Sequence, residues 1–362
     1  MRETLPLPLG HVTEYSTATA RVSLAEHTTL RLGGPAERLV HAGTAEELVA
    51  EVRAADATGA PVLVLGGGSN LVVADAGVPG TTVRVATGGT ARERLGDGRV
   101  LLTAEAGEDW DSVVRGALSA GLAGLECLSG IPGSAGAVPV QNVGAYGVEI
   151  AELLVDVDLY DRRRGVVREH VPAAGLGLRY RGSHLKGRDD AVVLRIRLAL
   201  RSDAEASGPI RYPELADALG VPLNATAPPE RVRAAVLALR RSKGMVLDPA
   251  EHDTWSAGSF FTNPIVPAPV AERIVDGPRY PAPDGLVKLS AAWLITNAGF
   301  RRGHPGPGGR VALSGRHSLA LTNRGGGRTE DLLTLAREVR DGVRGAFGVE
   351  LHPEPVLVGC AL

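Results

Sequence analysis

The stretch from Gly124 to Gly147 is rich in Gly, Ala and Ser, carries almost no charge and follows neither a helical nor a strand period. Hydrophobic periodicity is the main sequence signal for both regular elements, so a long element is not expected here. Long irregular segments inside compact chains are either functional or disordered. This one is too apolar for a disordered linker. It reads as backbone packed against something flat and buried. Its small residues permit close approach of a planar ring system, and Gln141 and Asn142 can hydrogen-bond an amide-like ring edge. A glycine-rich packing loop is the plainer alternative.

A second cluster, Gly66-Gly67-Gly68-Ser69-Asn70, separates two apolar runs, Pro61–Leu65 and Leu71–Val73, both expected as strands. Successive glycines let backbone N–H groups converge on an anion, and a serine hydroxyl adds a donor. No Gly-Lys-Ser/Thr follows, so the turn is not a P-loop, and the Gly-x-Gly-x-x-Gly dinucleotide spacing is missing. A hairpin turn, where Gly and Asn are common, and a diphosphate cradle both fit this pattern.

The 362 residues allow two or three domains. With 44% hydrophobic residues the chain can bury a sizeable core, and a formal net charge of -2 supplies no cationic field for general nucleic-acid binding. Basic residues are nearly all Arg, with Lys only at 186, 243 and 288; together with the high Ala and Gly content this reads as coding bias. Cys127 and Cys360 are too few for a disulfide framework or thiolate metal cluster, and both are expected buried and reduced. Met1–Pro6 lacks an apolar leader core and no apolar run approaches a membrane span. The expectation is a cytoplasmic protein with no membrane or nucleic-acid partner, no metal, and a monomeric state.

Thr44-Ala-Glu-Glu47 reads as a capping box before a helix burying Leu48, Val52 and Ala55 and stopping near Gly59. Further helices are expected over Asp109–Ala120, Pro229–Arg241 and Thr329–Phe347, and strands over Arg99–Ala106, Val155–Tyr160 and Val192–Leu200. Ser202–Ser207 looks like a linker and Gly303–Arg310 an exposed loop. The mixed order points to an α+β fold with more than one sheet.

Six short elements in fixed order carry a resemblance across residues 28–359. They are Thr29-Leu30-Arg31-Leu32-Gly33-Gly34-Pro35-Ala36, the Gly66–Asn70 turn, the Gly130–Gly147 run, Tyr180-Arg181-Gly182-Ser183, Gly258-Ser259-Phe260-Phe261-Thr262-Asn263-Pro264, and Pro353-Glu354. The chain resembles the UDP-N-acetylenolpyruvoylglucosamine reductases, flavoenzymes of peptidoglycan precursor synthesis. The resemblance implies a two-lobed FAD-binding domain of the vanillyl-alcohol oxidase (PCMH) type and a C-terminal α+β substrate domain. The expected divisions are 1–88 for the first lobe, joined by 356–362, then 89–205 for the second lobe and 206–355 for the substrate domain.

The same resemblance implies non-covalent FAD, NADPH as reductant, and a UDP-sugar enolpyruvyl ether as substrate. Hydride reaches the β-carbon of that ether, leaving an enolate-like dianion that needs stabilisation and then a proton. Ser259 matches the family's proton donor, Arg181 its catalytic arginine and Glu354 its catalytic glutamate. A charged carboxylate would repel the dianion, so Glu354 is expected to have a raised pKa or to share a proton. By the same resemblance Gly66, Gly67, Gly68, Ser69, Asn70, Gly133, Ser134, Ala137, Gln141, Asn142 and Gly144 serve the cofactor. Tyr180, Tyr212, Lys243, Asn263 and His317 serve the substrate, with Tyr212 the closing tyrosine of the longer class. His352 and Thr262 stand where many relatives have Glu and Lys. The competing readings are a sugar or alcohol oxidase of the same fold and a non-enzymatic nucleotide sensor. Such oxidases often attach FAD through His or Cys, and the two flavin segments contain neither.

Overall fold

The computed structural model describes residues 22–202 and 205–362. The leader reading at Met1–Pro6, and residues 203–204 of the expected linker, lie outside the described residues. The chain runs β1 (Ala36–Ala42), α1 (Ala45–Ala57), β2 (Val62–Leu65), β3 (Leu71–Val73), β4 (Val78–Val85), β5 (Thr90–Arg94), β6 (Arg99–Glu105) and α2 (Trp110–Ser119). Next come α3 (Val138–Gln141), β7 (Gly144–Ala145), β8 (Val148–Glu149), β9 (Leu154–Asp161), β10 (Val166–Pro172), β11 (Ala191–Arg201), α4 (Pro213–Leu219) and α5 (Pro229–Ser242). The remainder is β12 (Ile265–Val266), α6 (Ala268–Glu272), β13 (Arg279–Pro281), β14 (Val287–Leu289), α7 (Ala291–Asn297), β15 (Val311–Leu313), β16 (Leu321–Asn323), α8 (Thr329–Phe347) and β17 (Val356–Val358).

The fold is α+β with separate sheets. In the first, β4 lies between β1 and β2, all parallel, with α1 as the crossover. Thr44 Oγ1 accepts from the Glu47 amide at 3.1 Å, but the Glu47 carboxylate returns to the Gly43 amide at 2.8 Å. The expected capping box is therefore only half formed. The second sheet is antiparallel, in the order β10-β9-β11-β6-β5. On its polar face Arg197 is buried and grips Asp158 through two bonds of 2.8 and 2.9 Å. One hydrophobic core joins both sheets, through Val52 and Val83 on one side and Leu102, Ile196 and Leu198 on the other.

β2 and β3 do not form a hairpin. β3 pairs in parallel with β17, far along the chain, so the glycine turn passes from one sheet to another. The C-terminal unit builds its core from Phe260, Phe261, Leu294, Leu332 and Val339, and Leu30, Leu32 and Val72 are part of it. Asp75, just after β3, accepts from the first amides of α8, Thr329 at 2.8 Å and Glu330 at 3.0 Å. A carboxylate there suits the helix N-terminus. α4 and α5 share a core with Cys127, Tyr146 and Val148.

The Gly124–Gly147 run contains 3-10 turns, the single-turn α3 and β7, the first strand of the β7–β8 hairpin. It is anchored from outside. Trp110 donates its indole N–H to the Leu128 carbonyl at 3.2 Å. Asp111 accepts from the Gly130 amide at 2.6 Å and pairs with Arg233 of α5 at 2.6 Å. Cys127 is buried, and burial raises its thiol to about 12. Cys360, expected buried, is only half-buried because it follows β17 toward the surface.

Candidate active site

The glycine turn packs backbone against backbone. A Cβ at Gly67 would lie 2.5 Å from the Gly133 Cα, and one at Gly68, where φ is 61°, would overlap the His27 carbonyl oxygen. Only glycine fits such contacts. The turn lines a cavity of about 550 Å³ together with Ser134, Ala137 and Gln141. A second cavity of about 750 Å³ shares Ser69, Asn70, Ser134, Ala137 and Gln141 as its wall. Gly133 and Gly144 also border the second space. Gln141 lines both cavities, and among the described residues its buried Oε1 atom has no hydrogen-bond partner. A buried acceptor left unpaired is costly. This acceptor suits the N–H of an amide-like ring edge, so the residues present fit a flavin.

Asn142 is the exception among the expected cofactor residues, because it reaches neither cavity. It ends α3 in the left-handed conformation, φ 44°, a position where Asn is tolerated. Its side-chain amide donates to Glu149 at 2.8 Å and to the Arg179 carbonyl at 3.0 Å, and its oxygen accepts from the Ala151 amide at 3.2 Å. With these bonds made, Asn142 locks the β7–β8 hairpin and has no group left for a ring edge.

The larger cavity gathers Ser259, Arg181 and Glu354. Arg179 and Gly182 exchange backbone bonds of 2.9 and 3.0 Å, which closes a tight turn around Tyr180 and Arg181. Arg181 occupies the left-handed region at φ 52°, uncommon for a side chain of this size. Its guanidinium donates to the Gly144 carbonyl at 2.8 Å and lies 3.4 Å from the Glu354 carboxylate. Burial raises the Glu354 carboxyl above its ordinary range, against the pull of Arg181 and Lys186. The backbone of Glu354 is fixed from two sides: its amide donates to Phe260 at 2.8 Å, and Asn70 of the glycine turn donates to its carbonyl at 3.4 Å.

Ser259 Oγ lies 3.5 Å from His317 Nε2. Burial lowers the His317 imidazole to about 4, with Lys243 acting in the same direction. His317 is therefore neutral at pH 7, and it forms a wall of the cavity. The unfolded chain binds this proton near pH 6.5 and the folded chain only near pH 4. Stability from this group is thus full above 6.5 and is lost as pH falls toward 4. The substitution His317→Asn should flatten that part of the stability curve by roughly 1–3 kcal/mol. Urea midpoints across the window measure it, and an unchanged slope means the folded imidazole takes up its proton where the unfolded one does.

Tyr212 and Lys243 stand at one end of the cavity. Tyr212 meets Tyr146 edge-on with centroids 5.5 Å apart, and Lys243 pairs with Glu214 while lying 6.0 Å from the Tyr146 ring. At the other end Tyr180 lies between Arg181, 5.2 Å from its ring, and Lys288, 4.9 Å away. Asn263 faces the same space, although its Oδ1 already accepts from the Ala291 amide at 2.9 Å. Thr262 bonds the His352 carbonyl through its amide at 3.1 Å, so the two departures from the family pattern are neighbours. Tyr146, Lys186, Arg240 and Lys288 border the cavities without having been singled out in the sequence. For the lysines a signal existed. The chain holds 36 arginines and three lysines, and all three lysines line these cavities. Coding bias accounts for the arginines but not for where the lysines remain.

Residues 36–169 match the FAD binding domain family, and residues 248–358 match the family described as UDP-N-acetylenolpyruvoylglucosamine reductase, C-terminal domain. The chain is 61% identical over 355 residues to the UDP-N-acetylenolpyruvoylglucosamine reductase of Saccharopolyspora erythraea, covering 95% of this chain and 96% of that protein. It is 58% identical to the same enzyme of Nocardia farcinica, covering 96% and 91%. A crystal structure of the Thermus caldophilus enzyme superposes with a TM-score of 0.63 at 29% identity, covering 93% of this chain and 98% of that one. A fold with adjoining cofactor-sized and substrate-sized cavities, and relatives this similar over nearly their full length, place the chain in the UDP-N-acetylenolpyruvoylglucosamine reductase family.

Proposed function

We infer that the protein is an FAD-dependent oxidoreductase that reduces the enolpyruvyl group of UDP-N-acetyl-3-O-(1-carboxyvinyl)-glucosamine to give UDP-N-acetylmuramate, a peptidoglycan precursor. The observation that carries the reading is the convergence of Ser259, Arg181 and Glu354 in one cavity that shares a wall with the glycine turn. When bound, FAD would supply the hydride chemistry between NADPH and the substrate's β-carbon. The turn Gly66–Asn70, with Ser134, Ala137 and Gln141, would hold the cofactor without a covalent link.

The chain's own groups handle the charge and the proton. Arg181 stabilises negative charge beside the substrate carboxylate through its fixed fork of donors. Burial raises the Glu354 carboxyl above its ordinary range, which disfavours a repelling charge there. Ser259 gives its hydroxyl proton to the α-carbon, and the neutral His317 imidazole orients that hydroxyl. Tyr212 and Lys243 hold the nucleotide end, and closure over it excludes water. In this reading the enzyme works in the cytoplasm as a monomer. No described helix is long and apolar enough to cross a membrane.

The test is an absorption spectrum. The purified protein should be yellow, NADPH should bleach the flavin band without oxygen, and the enolpyruvyl nucleotide should restore it. A colourless protein that takes up no flavin would overturn the reading. Fast oxygen turnover with a free sugar would favour the oxidase alternative.

A further inference from the structure

Lys186 is half-buried beside the catalytic turn, and its ammonium donates to the Arg181 carbonyl at 3.1 Å. Among the described residues it has no carboxylate within 4.0 Å, although Glu354 acts on it from further away. Its position is unusual on two counts. A lysine ammonium is strongly hydrated, and burying one without an ion-pair partner is unfavourable. The chain also uses Arg for almost every other cation. At a site where the cation serves only to be positive, Arg would have been as good. Lys offers a compact, rotatable point donor in place of a planar fork.

The carbonyl it holds belongs to a strained residue. Arg181 has φ 52°, and non-glycine residues keep such a conformation only where the surroundings over-determine it. Here the turn is closed by Arg179 and Gly182, the guanidinium is tied to Gly144, and the carbonyl is tied to Lys186. The last two bonds act on opposite ends of the same residue. Together they aim the guanidinium at Glu354.

We propose that Lys186 is a positioning residue for reduction of the enolpyruvyl group: it fixes the left-handed backbone of Arg181 and places its charge where it acts on Glu354. The inference rests on the reductase reading above. The groups facing Glu354 are Arg181, Lys186 and Tyr180, and those facing Lys186 are Glu354, Arg181 and Arg179. The positive charge of Lys186 favours the Glu354 carboxylate, so its removal should raise the Glu354 pKa further. The pH limb that reports Glu354 in the substrate half-reaction should then move to higher pH.

Three substitutions separate the two parts of the role. The variant Lys186→Gln keeps a donor without charge, Lys186→Arg keeps charge with the wrong shape, and Lys186→Met keeps neither. With flavin saturating, reduction by NADPH should stay within about twofold of the parent in all three, whereas reoxidation by the enolpyruvyl nucleotide should slow about 10- to 100-fold in Lys186→Met. Lys186→Gln should recover part of that rate. The pH limb should move up in the Gln and Met variants and stay in place in the Arg variant. A crystal structure of Lys186→Met should show residue 181 out of the left-handed region or its guanidinium withdrawn from Glu354. Equal slowing of both half-reactions, or weaker flavin binding with normal half-reactions, would assign Lys186 to the cofactor or the fold and overturn the proposal. So would parental reoxidation and an unmoved limb in Lys186→Met. The parent enzyme's own reduction and reoxidation test the reductase reading separately.

Discussion

Ser259→Ala should leave flavin reduction by NADPH at near the parental rate and slow reoxidation by the enolpyruvyl nucleotide by about 100-fold or more, the scale of general-acid catalysis. The asymmetry follows from where the proton goes. Only the second half-reaction builds negative charge on the substrate's α-carbon, and only that half needs a donor. Ser259 borders the cavity beside Arg181 and Glu354, with His317 Nε2 at 3.5 Å from its hydroxyl. Removing one oxygen leaves the buried Phe260 and Phe261 untouched, so the loop should keep its shape. Stopped-flow absorbance resolves the two halves. Equal slowing of both would mean that Ser259 shapes the site instead of donating.

Arg181→Lys should produce the second large effect, a loss of about 100- to 1,000-fold in reoxidation, comparable to removing a preorganised oxyanion donor. Charge is conserved in this substitution, so a purely electrostatic role would be nearly preserved. The geometry argues otherwise. The guanidinium spans two fixed partners, the Gly144 carbonyl at 2.8 Å and Glu354 at 3.4 Å, while its backbone is held in a left-handed turn. A single ammonium cannot reproduce that span and also face the substrate. Reduction by NADPH should again be close to parental. If the Lys variant reoxidised normally, the fork would be irrelevant and Arg181 would act as a point charge.

Much of this site was legible in the sequence because it is written in short backbone-constrained motifs. Gly67 and Gly68 are irreplaceable for a local steric reason, and such constraints leave a visible mark. The long helix at Thr329–Phe347 was legible too, from one apolar stripe and Gly348 behind it. What stayed hidden depends on partners distant in the chain. Gln141 and Asn142 are adjacent amides with the same chemistry, and only the left-handed cap at 142 decides which one faces the cavities. The glycine turn resembles a hairpin locally, because nothing near it reveals that β3 pairs with β17. The stripe on α5, with Val232 and Val236, announces a buried face but not that Cys127 and Tyr146 lie in the same core. Burial of His317 is likewise a property of the assembled cavity.

The bond from Asn70 to the Glu354 carbonyl spans 284 positions in the chain, and the Val356 amide returns to the Asn70 carbonyl at 2.9 Å. This stitch has a meaning for synthesis on the ribosome. Domains generally fold as units, N-terminal first, while the chain emerges. The glycine turn is therefore made early but its pairing is completed late, once residues 354–358 have arrived. A chain lacking them misses the strand partner of β3 and the side chain of Glu354 at once.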